Sequence, residues 1–265
     1  MKKIIISVLV LTGLILFFVV DLLHDAGQFK KIEPHFSGPI KKIPGVVGAE
    51  DITIHPESGI ALISSDDRRA VLAGKNKQGA IFAFDLQAQN PQPVNLTTDF
   101  KQPFHPHGIS LYVGENGEAR LFVINHRDAT RTDIEVFVVV NGALFHRESI
   151  ADAKILNAND LVAVGIQQFY VTLDHGNTSA LGKSLEEYLR LPRSSVLYYD
   201  GQDFTKVAAG MKYANGINKS RDGSAIYVAA TTDGKIYVYD RNTQSGELTE
   251  TAQIDLGTGI DNIEV

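Results

Sequence analysis

The chain of 265 residues is long enough for one sizeable domain, and its 44% hydrophobic and 21% charged residues are ordinary globular values. The net charge of −6 gives no basic footprint for nucleic acid, so no nucleic-acid partner is expected. There is no cysteine, which excludes disulfides, thiolate zinc sites and a cysteine nucleophile. Any bound metal must therefore use oxygen or imidazole ligands.

The N-terminus carries a membrane-targeting pattern. Two lysines precede an uncharged run of 17 residues, Ile4 to Val20, and aspartates follow it. Such a run is at the lower limit for a membrane span, and the charge order predicts that the N-terminus stays inside. A cleaved signal peptide is the alternative, although the small-residue cleavage site that it needs is poorly formed. We predict a signal anchor over residues 1–23 and an exported, extracytoplasmic body, which would be secreted if the segment is cleaved.

The rest of the chain is predicted to be a linker, residues 24–42, followed by β-structure over residues 43–265. Short runs rich in Val, Ile, Tyr and Phe lie between turn residues, as is typical of strands. One exception, Ser184–Leu191, has a serine in front of apolar residues at helical spacing and predicts a short helix. The strand-like runs are ITIH, GIALISS, GAIFAFDL, GISLYV, ARLFVINH, DIEVFVVV, DLVAVG, QFYVTLD, SVLYYD, AIYVAAT and KIYVYDR.

Several of these strands are versions of one another. Three of them end in an aspartate, at Asp85, Asp200 and Asp240, and each follows a strand of similar composition. A repeat of roughly 40 to 50 residues with several strands in each unit is typical of a β-propeller. A β-sandwich would also contain many short strands, but not this self-similarity. We therefore predict an all-β propeller.

Polar residues recur at the start of the innermost strand of each predicted blade, 46 to 56 residues apart. Their carboxylate and amide oxygens are the ligands that calcium uses in sets of six to eight. A single such turn usually serves only to cap its own backbone. Recurrence at blade spacing instead favours a shared site on the propeller axis. The residues are Glu50–Asp51, His107, Asn159–Asp160, Asn215 and Asp261–Asn262.

Together these stretches resemble the paraoxonase/arylesterase family. The likeness runs from about residue 45 to 265 and is strongest in HPHGISLY, LFVINHRD, NDLVAVG, FYVTLDH, ANGINKSRDGSAIYVA and DNIEV. Members of that family are six-bladed β-propellers with two calcium ions in the central channel. The resemblance therefore implies an all-β, six-bladed β-propeller, here preceded by an N-terminal hydrophobic anchor helix.

The resemblance also implies two sets of calcium ligands. Each set contains two carboxylates, which balance the charge of a divalent ion, and the first leaves room for a water and a substrate oxygen. The catalytic calcium would be held by Glu50, Asn159, Asn215, Asp261 and Asn262. The structural calcium would be held by Asp51, Asp160 and the backbone carbonyl of Ile109.

Two histidines match the family's proposed catalytic pair. His107 matches the active-site histidine and His126 the second member, and a histidine can take a proton from water near neutral pH. The alternatives are that His107 only shapes the pocket and that His126 only orients a neighbour. His105 is expected to be a surface turn residue. Asp174–His175 also matches a family motif, for which a structural and a chemical role are equally supported.

The chain departs from the family pattern in two ways. The disulfide of the animal members cannot form without cysteine. In addition, residues 45–265 suffice for four to five blades, with a last strand starting near Asn262, so the resemblance implies a C-terminally incomplete ring.

These features predict a calcium-dependent hydrolase of lactones and aryl esters, in which calcium polarises the carbonyl and the histidine pair activates water. One alternative is a gluconolactonase-type sugar lactonase, which generally lacks the histidine of HPHGIS. The other is a non-catalytic calcium-binding propeller or an inactive truncated homologue.

Overall fold

The computed structural model describes residues 1–31, 33, 36–75 and 77–265, so residues 32, 34 and 35 of the predicted linker lie outside the described residues. The chain forms two compact units, Met1–Lys42 and Ile43–Val265. The first contains helix α1, Lys2–Asp25, in which no residue is buried. With a mean hydropathy of 2.8, α1 is long and apolar enough to cross a membrane, a test that a signal sequence also passes.

The second unit consists of four antiparallel sheets, each of four strands joined in chain order, which is the arrangement of propeller blades. The all-β propeller prediction is confirmed, and four blades are seen in the described residues; a total of six remains a prediction. Blade 1 contains β1 (Ala49–Ile54), β2 (Ile60–Ser65), β3 (Ala80–Asp85) and β4 (Val94–Asn95). Blade 2 contains β5 (Pro106–Val113), β6 (Ala119–Asp128), β7 (Arg131–Val140) and β8 (Ala143–Ala151). Blade 3 contains β9 (Ala158–Ala163), β10 (Phe169–Leu173), β11 (Ser194–Tyr199) and β12 (Phe204–Met211), and blade 4 contains β13 (Ala214–Lys219), β14 (Ala225–Ala230), β15 (Lys235–Arg241) and β16 (Leu248–Asp255).

The first strand of each blade is innermost. β5 contacts β1 and β9, and β9 contacts β13, so these four strands meet along the axis. All the strand-like runs quoted above coincide with strands. The outermost strands were not predicted, because they are largely exposed and carry no apolar alternation; β16, for example, has no buried residue.

The core lies between neighbouring blades. Large apolar side chains fill each interface, such as Leu62 and Leu121 between blades 1 and 2, and Phe122 and Phe169 between blades 2 and 3. A third cluster, which includes Tyr170, lies between blades 3 and 4. Because protein interiors are close-packed, these clusters fix the relative positions of the inner strands.

Two short helices interrupt the connections between second and third strands. They are α2, Arg68–Leu72, in blade 1 and α3, Ala180–Tyr188, in blade 3. The prediction that Ser184 begins the second helix is wrong. Ser179 is the N-cap and accepts the Gly182 N–H, whereas Ser184 lies inside the helix. The first turn contains that glycine and a largely exposed leucine, so it carries no apolar helical spacing.

The strand predicted near Asn262 is also absent: the structure assigns no strand to residues 256–265. This segment contacts β13 through individual hydrogen bonds and does not form a ladder of paired residues with it. The Asp261 carbonyl accepts the Gly216 N–H at 3.2 Å, and the Ile263 carbonyl accepts the Asn218 side-chain amide at 2.8 Å.

Every inner strand contains the same irregularity, a bulge in which two residues face one residue of the second strand. The residues predicted to precede the inner strands therefore lie inside them. A bulge bends the strand and redirects its side chains, which suits a site at the axis. The bulge pairs are Glu50–Asp51, His107–Gly108, Asn159–Asp160 and Asn215–Gly216.

The second residue of each bulge alternates around the axis between aspartate and glycine. The Asp51 carboxylate of blade 1 accepts the Ile109 N–H of blade 2 at 2.7 Å. The Asp160 carboxylate of blade 3 accepts the Ile217 N–H of blade 4 at 2.9 Å. Each buried aspartate thus ties its own blade to the residue that follows the glycine of the next blade.

The glycines allow this close approach. A Cβ on Gly108 would lie 2.5 Å from Asp160 Oδ1 and 2.6 Å from Asp160 Cα. A Cβ on Gly216 would lie 2.5 Å from the Asp261 carbonyl oxygen. Since real Cβ contacts are longer than this, any larger residue would push the neighbouring segment away.

We expect Gly108→Ala to destabilise the full-length protein by about 1–3 kcal/mol or more, because the added methyl group overlaps the Asp160 backbone. The measurement is urea unfolding in detergent. The matched control is Gly142→Ala, also in blade 2, where a Cβ meets nothing within 4 Å and only the left-handed φ of 79° is unfavourable. Equal losses in the two variants would show that the contact at the axis is not critical.

Candidate functional site

The four bulges open onto one cavity of about 860 Å³. Six of the predicted calcium ligands and catalytic histidines line this cavity. Four are the first residues of the bulges, and the other two come from β6 and from the segment after β16. They are Glu50, His107, Asn159, Asn215, His126 and Asp261.

The remaining predicted ligands do not line this cavity. Asp51 and Asp160 are buried, and Ile109 is held against Asp51 by its own N–H. Asn262 is exposed, and its side-chain amide donates to the backbone carbonyl oxygen of Glu50, a member of the first set, at 3.1 Å. The structure therefore separates a cavity-lining group of residues from a buried group.

The Glu50 carboxylate contacts two side-chain donors, an imidazole and a guanidinium group. Its Oε1 lies 3.1 Å from His107 Nε2 and 2.7 Å from Arg68 Nη2. The hydrogen bond from His107, with help from the charges of His107 and Arg68, outweighs burial and lowers the pKa of Glu50 to about 2. Glu50 is therefore ionised at neutral pH. Arg68 was missed in the sequence, where the only signal was the length of the connection between β2 and β3.

His126 stands beside His107 as a neutral imidazole. The two ring centroids are 5.1 Å apart with the rings edge to face. The pKa of His126 is lowered to about 3, mainly by burial and secondly by the charge of His107. The Thr132 hydroxyl donates to the Leu156 carbonyl at 3.1 Å, so its oxygen must accept from His126 Nδ1, 3.0 Å away. This assignment leaves His126 Nε2 as an acceptor.

His105 is not the surface turn residue that was expected. Its side chain is 17% exposed, lines the cavity and places Nδ1 3.1 Å from Asp66 Oδ1. The backbone is anchored from below, because the His105 N–H donates to Asn125 Oδ1 at 2.8 Å and its carbonyl accepts from the His126 N–H at 3.1 Å. No periodicity in the sequence reports such a side-chain anchor.

The Asp174–His175 pair connects the cavity wall to α3. The buried His175 ring lies between Asp174 Oδ1, at 2.7 Å, and Glu187 Oε1, at 3.0 Å, and only Asp174 lines the cavity. Burial opposes the charged imidazole, but these two carboxylates raise the pKa of His175 above its usual value. His175 therefore acts as a cationic bridge between the loop after β10 and α3.

Sequence reasoning missed several other residues of the cavity. They lie at the end of β6, in connections between strands or next to the bulges, where no periodic pattern marks them. They are Asp66, Arg127, Asp128, Asn157, Lys183 and Tyr213.

Two observations bear on metal binding. Asn159 Oδ1 is buried and has no hydrogen-bond partner among the described residues. Burial raises the pKa of Asp51, and burial together with the charge of Asp51 raises that of Asp160. In the described part of the chain, no three carboxylate, imidazole or thiol side chains converge as a metal-binding group. An ion held here would therefore also need amide and carbonyl oxygens.

Comparison with known proteins identifies the family of this chain. The family model described as Arylesterase matches residues 28–265. This chain belongs to the arylesterase family. It is 37% identical over 225 residues to serum paraoxonase/arylesterase 1 of Homo sapiens, an alignment that covers 82% of this chain and 63% of that protein. It is 34% identical over 268 residues to serum paraoxonase/lactonase 3 of Oryctolagus cuniculus, covering 97% of this chain and 75% of that protein. The chain therefore spans less than two thirds of the human relative.

Solved structures of differently named proteins share the fold of this chain. The periplasmic gluconolactonase PpgL of Pseudomonas aeruginosa has a TM-score of 0.50 at 14% identity, covering 78% of this chain and 57% of that one. Hydrazine synthase of Kuenenia stuttgartiensis has a TM-score of 0.53 at 11% identity, covering 80% of this chain and 63% of that one. At such low identity the likeness extends to the propeller architecture alone.

The bridge at His175 predicts a pH-dependent stability. The pKa of His175 is raised in the folded protein. The stabilisation that the protonated ring provides is therefore complete below about pH 6.5, the ordinary pKa of histidine, and is lost as the pH rises through the pKa of the folded state. We expect His175→Gln to cost about 1–3 kcal/mol at pH 6 and clearly less at pH 9, measured by thermal unfolding of the full-length protein. His126 is neutral when folded but partly protonated at pH 6 when unfolded, which lowers the stability of wild type and variant equally and therefore cancels in the comparison. His55→Gln, outside the cavity, is the control. A cost that is the same at both pH values would contradict the cationic bridge.

Proposed function

We propose that this protein is a calcium-dependent hydrolase of lactones, and secondarily of aryl esters. The observation that supports this most directly is the convergence, in one cavity, of the unpartnered oxygen of Asn159 with an ionised Glu50 and two adjacent imidazoles. The family relationship supports the same reaction class, since the named relatives are an arylesterase and a lactonase.

The donor set fits a hard divalent cation. The side chains of Asn159 and Asn215 offer amide oxygens, and Glu50 and Asp261 offer carboxylates, the ligands that calcium prefers. When bound, the ion would polarise the substrate carbonyl and stabilise the developing oxyanion. We include Asn262 in this set, since it already contacts Glu50 through its amide.

A second ion of structural role is proposed for the buried group. The carboxylates of Asp51 and Asp160 both lie in a buried region, where burial and, after it, the charge of Asp51 raise the pKa of Asp160. A cation held between them with the Ile109 carbonyl would offset that repulsion. It would also join blades 1, 2 and 3 at the axis, because these three residues belong to different inner strands.

The histidines would handle the proton of the attacking water. Glu50 orients the His107 ring through Nε2, and Arg68 contacts the same ring from the side. His126, neutral and with Nε2 as an acceptor, is prepared to hold a water by hydrogen bonding. We assign proton abstraction to the pair rather than to His126 alone, since its low pKa makes it a weak base.

The decisive experiment measures hydrolysis of a γ-lactone and of an aryl ester by the full-length protein in detergent. We expect activity in millimolar calcium, loss on chelation, and recovery when calcium is returned. His107→Gln should lose at least about tenfold in kcat, because one member of the proton-transferring pair is removed, while calcium still raises the melting temperature. Asp160→Asn should instead reduce that calcium-induced rise.

His55→Gln, which removes an imidazole outside the cavity, is the control and should leave kcat unchanged. Activity that survives complete chelation would refute the proposed role of calcium. Hydrolysis of a sugar lactone alone would favour the gluconolactonase-type alternative. Calcium-dependent stabilisation with no hydrolysis of any of these substrates would indicate a binding protein.

We further propose that α1 anchors the protein in a membrane, with the propeller on the extracytoplasmic side. The helix is apolar, unburied and preceded by lysines, which supports insertion with the N-terminus inside.

This anchor predicts where the protein fractionates. The full-length protein should sediment with membranes and resist carbonate extraction, because the 24-residue helix buries its apolar surface in lipid. Deletion of residues 1–23 should release a soluble protein with the same calcium-dependent stability. A mature protein that is soluble and begins near residue 27 would show that the segment is a cleaved signal.

A further inference from the structure

His105 and Asp66 form a second histidine–carboxylate contact on the cavity wall, which the proposed reaction leaves unused. Both residues line the cavity, and His105 Nδ1 lies 3.1 Å from Asp66 Oδ1. Only 17% of the His105 side chain and 8% of the Asp66 side chain are exposed. A carboxylate at Nδ1 fixes the tautomer and the direction of an imidazole, and it stabilises the ring when the ring becomes charged. The pair therefore has the arrangement of an oriented acid–base group.

The other edge of the His105 ring is open to a ligand. Because the carboxylate accepts, Nδ1 carries the hydrogen of this contact and Nε2 is the nitrogen left to exchange a proton. Nε2 has no hydrogen-bond partner among the described residues, and it is not one of their buried unpartnered atoms, so it is accessible. Since Asp66 covers the Nδ1 edge, the accessible part of this cavity-lining ring includes Nε2.

The backbone of His105 is held as firmly as its side chain. The His105 N–H donates to Asn125 Oδ1 at 2.8 Å. Asn125 Nδ2 in turn donates to the Pro103 carbonyl at 3.0 Å and to Glu135 Oε1 at 2.8 Å. Asn125 and Glu135 are fully buried. A functional side chain that is locked by such supporting hydrogen bonds is held in one geometry before substrate binds.

His105 lies next to both members of the His107–His126 pair without belonging to it. It precedes His107 by two residues, and its carbonyl accepts the His126 N–H at 3.1 Å. The ring contact in this part of the described chain joins His107 to His126 and does not include His105. The attacking water and the leaving oxygen occupy different positions around the carbonyl carbon, so hydrolysis uses a base at the first and an acid at the second. His105 provides a separate ring for the second position.

We propose that His105, oriented by Asp66, is the catalytic acid that protonates the leaving oxygen of the lactone or ester. The protonated ring donates its Nε2 proton as the C–O bond breaks, and the bonding pair passes to the oxygen, which leaves as a hydroxyl group. The ring then regains a proton from solvent, while the proton of the attacking water is taken by the His107–His126 pair and released. Asp66 does not touch the substrate and is a positioning residue. This inference rests on the proposed hydrolase function and adds to it the group that completes the reaction.

The test compares three substrates whose leaving oxygens differ in basicity, a γ-lactone, phenyl acetate and 4-nitrophenyl acetate, with the full-length protein in detergent and calcium. An aliphatic alkoxide needs a proton in order to leave, whereas nitrophenoxide leaves as an anion. We expect His105→Gln to lower kcat about a hundredfold for the lactone, less for phenyl acetate, and no more than about twofold for the nitrophenyl ester. Asp66→Asn should give the same order with smaller losses, because the ring remains but its orientation is lost. His55→Gln, outside the cavity, is the control and should leave all three rates unchanged.

The outcomes separate this inference from the function on which it rests. Equal losses of His105→Gln on all three substrates, or no loss on the lactone, would overturn the role of His105 as the acid while leaving the hydrolase function standing. Wild-type protein that is folded, stabilised by calcium and inactive on all three would overturn both. Both variants should keep the calcium-induced rise in melting temperature, because neither residue belongs to the proposed ligand sets. Loss of that rise together with a uniform loss of activity would show that the pair is structural and would also overturn the inference.

Discussion

The two-residue bulge repeated on the four inner strands is the constraint on which the rest of this structure depends. A regular strand would direct alternate side chains to opposite faces of its blade. The bulge instead turns two successive residues towards the axis, and four such pairs meet there. The first residues of the pairs form the floor of the cavity, and the second residues lie beneath it. Asp160 of blade 3 can lie at that lower level because Gly108 of blade 2 leaves room for it, whereas Gly216 of blade 4 leaves room for the segment at Asp261.

This arrangement concentrates negative charge at the axis. Arg68 and His107 contact the Glu50 carboxylate, whereas in the described part of the chain the carboxylates of Asp51 and Asp160 accept hydrogen bonds from backbone amides alone. Backbone hydrogen bonds orient a buried carboxylate but do not compensate its charge, which is why burial still raises both pKa values. The electrostatics of the fold and the proposed cation thus belong together, because the same aspartates that link neighbouring blades are the ones whose charge requires compensation.

The sequence was informative where chemistry repeats with the blade period. The spacing of Glu50, His107, Asn159 and Asn215 predicted that they share a site, and the structure brings them into one cavity. The sequence, however, predicted these residues in turns rather than in strands, because a bulge has no signature in composition. The outer strands were missed for lack of burial, and the start of α3 was missed because its first turn carries a glycine.

The residues that shape the cavity walls were harder to predict for another reason. Arg68 and Tyr213 act through contacts with distant segments, a carboxylate of β1 in one case and the connection between β14 and β15 in the other. α2 and α3 occupy corresponding connections of blades 1 and 3, above the floor formed by the bulges. Floor and walls are therefore encoded in separate parts of the chain. Insertions or deletions in those two connections that leave Arg68 in place would reshape the entrance while keeping the inner strands unchanged, so the entrance can be engineered independently of the axis.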